Sequence, residues 1–302
     1  MGQLEDMQVF IRVVEAGGIG RAAEQLGIAK SAVSRRLSEL EERLGSRLIN
    51  RTTRRSSLTD AGQRYYQQAL KVVDQVHEMN TELADDDAAL TGSIRLTVPL
   101  SFGLLHMSPA IDLFARQHPQ VSIHMDFSDR QVDVVEEGFD LALRIAHLKD
   151  SSMQARKICP SHYVIAASPD YLKRNGRPNT ASEIAEHNFL KYGVGNTAQW
   201  PIIDAEGKEQ RFNVTSKMTA NNGDFLLQMA CAGHGIVVLP TFIAWQALAA
   251  GELVQVLEDC TIPSLDAYFV YPKNRFLPQR SRALIEFMAQ RFGDKPYWDE
   301  AI

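Results

Sequence analysis

Residues 19–55 read IGRAAEQLGIAKSAVSRRLSELEERLGSRLINRTTRR. The pattern predicts a short helix over 20–26, with Ala22, Ala23 and Leu26 on one face. Gly27 ends it, because a residue without a Cβ takes positive φ freely at a helix C-terminus. Ile28 and Ala29 fill the corner. Ser31 is placed to cap a second helix, with Ser34 three residues on. In that helix Val33, Leu37, Leu40 and Leu44 form one apolar stripe, and Lys30, Ser31, Ser34, Arg35 and Ser38 lie opposite. Gly45 ends the helix, and residues 47–58 read as a small basic hairpin. Two helices around a glycine corner, the second with a basic, hydroxyl-rich outer face, make a helix-turn-helix followed by a wing.

Those residue types suit double-stranded DNA. The second helix enters a major groove with its first turns, where short hydroxyls and long donors reach phosphates and base edges. The candidate contacts are Arg21, Lys30, Ser31, Ala32, Ser34, Arg35 and Ser38 on the helices, and Arg51, Thr53, Arg54 and Arg55 on the wing. The wing arginines suit phosphate contact, since the guanidinium fork matches phosphate oxygens. A plain amphipathic helix pair with a solvated basic face is the alternative. The glycine corner, the hydroxyl start and the basic wing together favour DNA.

Charge is distributed accordingly. The chain of 302 residues has a net charge of −5, but residues 1–58 hold ten Lys and Arg against seven Asp and Glu, and the remainder holds twenty-two against thirty. A small basic head sits on an acidic body. No apolar run approaches a membrane span, the first residues show no signal peptide, and Met1-Gly2-Gln3 is not a persuasive lipidation site. Cys159, Cys231 and Cys260 are far apart, and the eight histidines are scattered. No disulfide framework, metal site or cofactor is expected.

Residues 1–17 predict a first helix with a broad apolar face. From Thr59, a good N-cap, a long helix runs to Ala84. Along it Tyr65, Ala69, Val72, Val76, Met79 and Leu83 are spaced 4, 3, 4, 3, 4, a heptad seam that reads as a dimerisation face. Residues 85–93 hold an aspartate run and then Gly92, a hinge. Beyond it, strands are expected near 94–98, 121–127, 139–145, 162–168, 236–239, 253–257 and 267–271. Helices are expected over 103–118, 131–137, 225–232, 241–250 and 279–292. Strands alternating with helices imply an α/β body with a mainly parallel sheet.

The residues also resemble a known family. Residues 4–17 are similar to the first helix of the LysR-type transcriptional regulators. Residues 22–26 (AAEQL) and 31–35 (SAVSR) resemble that family's helix-turn-helix. Residues 40–48 (LEERLGSRL), 51–54 (RTTR) and 58–62 (LTDAG) resemble the helix end, the wing and the start of the linker helix. Gly18-Ile19-Gly20 departs from the pattern, where a serine and an aromatic are more usual. Residues 132–145, 231–240 and 251–257 extend the resemblance over nearly the whole chain. It implies α/β architecture with an N-terminal winged helix-turn-helix (1–58), a linker and dimerisation helix (59–89) and a periplasmic-binding-protein-like body (90–302). The body would be two α/β subdomains, about 92–163 with 267–302, and 164–266, crossed near Tyr163 and Asp266. It further implies a bacterial cytoplasmic setting, a homodimer through the linker helix, a homotetramer, a small-molecule effector, and RNA polymerase as a partner if the regulator activates.

In open α/β sheets, ligands bind beyond the carboxyl ends of strands and against helix N-termini. That rule nominates Ser101 and Phe102 after the first strand, Ser128 and Asp129 after the second, and Arg144 on the third. Across the cleft it nominates Asn221, Asn222, Thr241 and Phe242, with Gly195 and Asn196 at the mouth. The resemblance singles out the turn of Ser101. Arg144 and the helix N-termini favour a small carboxylate or other anion, although Asn221 could equally be an N-cap and Arg144 could pair with Asp126 or Asp129. No nucleophile elbow, P-loop or dinucleotide motif is present, so no enzyme is expected. Two other functions remain: a small-molecule-binding protein that does not bind DNA, and a redox sensor, for which Cys159 is the leading thiol.

Overall fold

Val9, Phe10 and Val13 cannot face water together, and they lie at the centre of the first core, covered by Ala22, Ala23, Val33, Leu37, Leu40 and Leu48. The computed structural model describes residues 2–51, 56–82, 89–130, 132–134, 136–147, 153–204, 206–272 and 277–300. The chain divides into two units, Met1–Ala89 and Leu90–Ile302. In the first, α1 (Gln3–Glu15), α2 (Ile19–Leu26) and α3 (Lys30–Leu44) precede the two-stranded wing of β1 (Ile49–Arg51) and β2 (Ser56–Leu58), and α4 (Asp60–Glu82) follows. Gly27 at φ 65° and Gly45 at φ 61° end α2 and α3.

Ser31 does not cap α3. The helix starts at Lys30, with Ala29 in the cap position and no side-chain cap. The Ala29 carbonyl already accepts the N–H groups of Ala32 and Val33, so the corner closes before the hydroxyl is reached. Thr59 does cap α4: its Oγ1 accepts the Gly62 N–H at 2.9 Å and donates to the Arg47 carbonyl at 2.7 Å.

The heptad seam on α4 is divided between two environments. Tyr65 packs against Phe10 with ring centroids 5.6 Å apart, and Ala69 is buried in the same unit. These two residues are internal core, because α1 lies against the first turns of α4. Further along, Val72 and Met79 are exposed and Val76 is half-buried. Leu83 lies outside the described residues.

The second unit starts with β3 (Gly92–Val98), α5 (Leu100–Phe102), a π-helical turn (Gly103–Met107) and α6 (Ser108–Gln117). It continues with β4 (Val121–Phe127), β5 (Leu141–Ala146), β6 (Met153–Ser161), β7 (Tyr163–Ala167) and α7 (Pro169–Asn175). Next come β8 (Phe189–Tyr192), β9 (Thr197–Ile203), β10 (Glu209–Ala220), α8 (Gly223–Cys231), β11 (Ile236–Pro240) and α9 (Thr241–Ala249). The unit ends with β12 (Val254–Gln255), β13 (Leu265–Pro272), α10 (Gln279–Phe292) and a 3₁₀ turn (Tyr297–Asp299).

These strands form two sheets, ordered β4-β3-β5-β13-β6 and β12-β7-β11-β8-β10-β9. The chain passes from the first to the second between β6 and β7, and returns into β13. Both sheets are mixed, not mainly parallel. In the first, β3 runs parallel to β4 and β5, but β13 is antiparallel to both β5 and β6. In the second, β8 is parallel to β10 and β11, and the remaining pairs are antiparallel. Each crossing delivers a strand without a preceding crossover helix, so the parallel rule does not apply to it.

Where a helix was expected over 131–137, residues 134 and 136–138 form turns, and 131 and 135 lie outside the described residues. Asp133 accepts the Glu136 N–H at 2.9 Å, and Glu137 is tied to Arg130 at 2.7 Å. Such local side-chain bonds compete with the helical ladder. The hairpin of β9 and β10 was not read from the sequence, although Asp204 and Gly207, the latter at φ 77°, supply its turn.

A Cβ on Gly62 would lie 1.9 Å from the Leu48 carbonyl oxygen. Gly62→Ala is therefore expected to destabilise the N-terminal unit by about 3 kcal/mol, as overpacking against backbone does. Gly20→Ala, with nothing within 4 Å, should instead stabilise it by up to about 1 kcal/mol. Urea unfolding of the two variants beside the parent checks both signs.

Candidate DNA interface and effector cleft

The outer face of α3 is set by what its inner face buries. Val33, Leu37 and Leu40 are fully covered, so the residues between them must face outward. Arg21, Lys30, Ser31, Arg35 and Ser38 are exposed, and Ala32 and Ser34 are half-buried. Ser38 donates to the Ser34 carbonyl at 3.0 Å, and Arg35 lies 3.7 Å from Glu39. Both partners of that ion pair are exposed, so it holds the guanidinium only weakly. Arg51 belongs to β1, next to the turn of the wing, while Thr53, Arg54 and Arg55 lie outside the described residues.

In the second unit, the strand ends of the two sheets meet around a cavity of about 320 Å³. The first sheet contributes Ser101, Phe102, Ser128, Asp129, Arg144 and Ile145. The second contributes Tyr163, Tyr192, Trp200, Leu239, Phe242 and Ile243. Six of the sequence-nominated residues therefore line one wall set. The other five do not line it. Asn222 caps α8 by accepting the Phe225 N–H at 2.9 Å. Thr241 is buried, with its hydroxyl turned to the His162 carbonyl. Asn221, Gly195 and Asn196 are exposed and stand outside the lining. Short polar residues at strand and helix ends serve the backbone first. Tyr192 and Trp200 were missed with the strands that carry them, since β8 and β9 were not read. Tyr163 was noted only as a crossing point.

The polar groups of the cavity are arranged unevenly. Ser101 donates to Asp224 on α8 at 2.6 Å, a hydrogen bond from one sheet's helix to the other's. Asp129 accepts the Leu100 N–H at 3.3 Å. Burial raises its pKa against that N–H, and the charge of Asp224 adds to the rise. Arg144 donates from Nη1 to the Leu143 carbonyl at 2.7 Å, while its buried Nη2 has no partner among the described residues. The expected pairing with Asp126 or Asp129 is not made among the described residues. Those carboxylates act on Arg144 only at longer range, and burial lowers its pKa.

Behind the cavity, His106 is fully buried. Its Nε2 lies 2.8 Å from the Phe242 carbonyl and its Nδ1 lies 2.6 Å from the Tyr297 hydroxyl. A carbonyl only accepts, so Nε2 carries the proton and Tyr297 donates to Nδ1. Burial pushes the pKa from 6.5 down to about 4. The thiols are also raised by burial, Cys159 to about 12, so thiolate, the redox-active form, is suppressed.

A bacterial regulatory helix-turn-helix model of the lysR family matches residues 4–63, and a LysR substrate-binding-domain model matches residues 87–293. The chain belongs to the LysR family of transcriptional regulators. A helix-turn-helix transcriptional regulator of Haemophilus influenzae is 38% identical over 279 residues, covering 92% of this chain and 96% of that one. The regulator CrgA of Neisseria meningitidis is 32% identical over 292 residues, covering 96% and 97%. The solved structure of CrgA matches with a TM-score of 0.62 over 97% of this chain and all of that one, at 31% identity. The full-length Vibrio cholerae virulence activator AphB matches with a TM-score of 0.59 at 28% identity, over 96% and 99%. The LysR chain is thus a DNA-binding regulator with an effector-binding domain, not an enzyme. No helix of its described residues is long and apolar enough to cross a membrane.

The sign of the His106 shift fixes a pH dependence. Its folded-state pKa is depressed, so its contribution to stability is present above about 6.5 and is lost as pH falls toward about 4. The full loss amounts to about 3 kcal/mol, since each tenfold change in proton affinity corresponds to about 1.4 kcal/mol. Denaturant unfolding of the parent between neutral and acid pH should show this loss, and His106→Gln should flatten it.

Proposed function

We propose that the cavity between the two sheets is the effector site, and that its occupant is a small carboxylate with an apolar, planar body. The observation that carries this reading is Arg144: a guanidinium whose Nη2 is buried without a partner among the described residues, on a wall otherwise formed largely by Phe102, Tyr163, Tyr192, Trp200 and Phe242. A buried donor without an acceptor is costly, and an anion placed beside it would remove that cost. Asp129, and Asp224 bonded to Ser101, confine an anion to the Arg144 side. An occupant that draws the sheets together shifts the chain between two arrangements and so changes how its heads sit on DNA.

For the head, the proposal assigns base and phosphate contacts to α3 through Lys30, Ser31, Ser34, Arg35 and Ser38, with Arg21 beside them and the wing on the flanking backbone. The exposed part of the α4 seam, Val72 and Met79 with Val76 between them, is proposed as the homodimer contact. Pairs of dimers would give a tetramer, and an activating role would add RNA polymerase as a partner. The domain limits follow the same reading: head to 58, linker helix to 89, effector body beyond.

Two measurements test the proposal. In a thermal-shift panel, aromatic and aliphatic monocarboxylates at about 100 times Kd should raise the melting temperature by several degrees, from about 2.7 kcal/mol of binding linkage. Arg144→Met should lose that shift. Stabilisation by neutral or cationic compounds alone would sink the anion assignment. In the second measurement, DNA from upstream of its own gene is titrated across a salt series. Arg35→Ala should bind about tenfold or more weakly than the parent, with the loss concentrated on one sequence.

A further inference from the structure

Glu41 lies on α3, less than one turn beyond Ser38, the last residue assigned to DNA, yet it is buried to 5% exposure. Its Oε1 accepts two backbone N–H groups of the wing, Leu48 at 2.8 Å and Ile49 at 3.1 Å. Its Oε2 lies 3.4 Å from the Arg47 guanidinium. Two of these residues, Arg47 and Leu48, are held from the other side by Thr59, the cap of α4. The Leu48 carbonyl accepts the Thr59 N–H at 3.0 Å, and the Arg47 carbonyl accepts the Thr59 hydroxyl at 2.7 Å. Gly62 leaves no room behind that carbonyl. The approach to β1 is therefore clamped, its N–H groups by the recognition helix and its carbonyls by the linker helix.

We infer that Glu41 is a positioning residue for DNA recognition: its carboxylate fixes the wing to the recognition helix, so that groove reading and phosphate contact occur in one register. It does not touch DNA in this role. It acts through Leu48, which leads into β1, and Ile49, the first residue of that strand, which also carries Arg51. Leu48 and Ile49 are almost fully covered, so their N–H groups depend on the carboxylate as acceptor. Without it two buried N–H groups lose their acceptor, and the strand leaves the helix to find others. The wing cations then no longer meet the phosphates while α3 sits in the groove.

Each phosphate neutralised by a side chain contributes about 0.9 to the slope of log affinity against log salt. Misplacing the wing should lower that slope, which a mere loss of folded protein cannot do. The test uses the full chain, a duplex of arbitrary sequence as probe, and fluorescence anisotropy over a salt series. Arbitrary sequence isolates phosphate contacts and frees the test from the identity of the operator and effector. Glu41→Ala and Glu41→Gln remove the same negative charge, but Gln keeps an oxygen that can accept both N–H groups. Glu41→Gln should bind at least as tightly as the parent, with the same slope. Glu41→Ala should bind about tenfold more weakly at low salt, with a slope smaller by about 1 to 2. A Glu41→Ala protein with parental affinity overturns the inference. So does one whose weaker binding keeps the parental slope, or a Glu41→Gln protein as impaired as Glu41→Ala.

Discussion

Two sheets that share one chain must also share one core, and the aromatic cluster around Trp298 is where that requirement is met. Trp298 is fully buried, and Phe102, His106, Phe242, Phe292 and Tyr297 surround it with centroids 4.1 to 6.4 Å away. Phe102 follows the first strand of one sheet, and Phe242 opens a helix on the other. The apolar area of these rings can leave water only if both sheets and the last turn of the chain arrive together. His106 adds direction to that non-directional attraction by spanning from the π-helical turn to the Phe242 carbonyl. The cavity lies directly in front of this cluster, with Phe102 and Phe242 in both. Its shape is therefore a property of the joint between the sheets, and not of either sheet alone.

The N-terminal unit achieves its order differently. Its core is small, and ion pairs between α1 and α3 supplement it: Asp6 with Arg43 at 2.8 Å and Glu5 with Arg36 at 3.2 Å. The first is half covered, and the second is partly exposed and correspondingly weak. The close approach of Leu48 to Gly62 then ties the wing to α4 without any side chain between them. Backbone contacts of this kind hold position more tightly than long side chains, because they leave fewer rotamers to sample.

Legibility in the sequence followed the physics of each signal. The stripe of Val33, Leu37 and Leu40 and the positive-φ glycines at 27 and 45 gave the head almost residue by residue. Helix α10 was read with the bounds it has, since its apolar residues repeat along one face. Reading failed where burial was not periodic. The hairpin of β9 and β10 alternates weakly, and β6 is mostly exposed on the sheet edge, so neither gives a strong pattern. The cavity suffered accordingly: Ser101, Asp129 and Arg144 were found from strand ends, but Tyr192 and Trp200 sit on strands that had not been recognised. Side chains such as Asn222 and Thr241 looked like ligand contacts and proved to be bound to backbone. A single sequence shows that a polar residue lies at a helix start, but not whether the helix or a ligand takes its hydrogen bond.

The 2.6 Å hydrogen bond from Ser101 to Asp224 has a bearing on sensitivity. It joins a helix of one sheet to a helix of the other, so a molecule that takes the serine hydroxyl must displace a carboxylate from it. A hydrogen bond to a charged group contributes about 1.5–3 kcal/mol, which corresponds to roughly ten- to hundredfold in apparent affinity. That handicap falls equally on every competitor for the hydroxyl. The bond thus sets how much a molecule in the cavity must gain elsewhere before it can claim that hydroxyl.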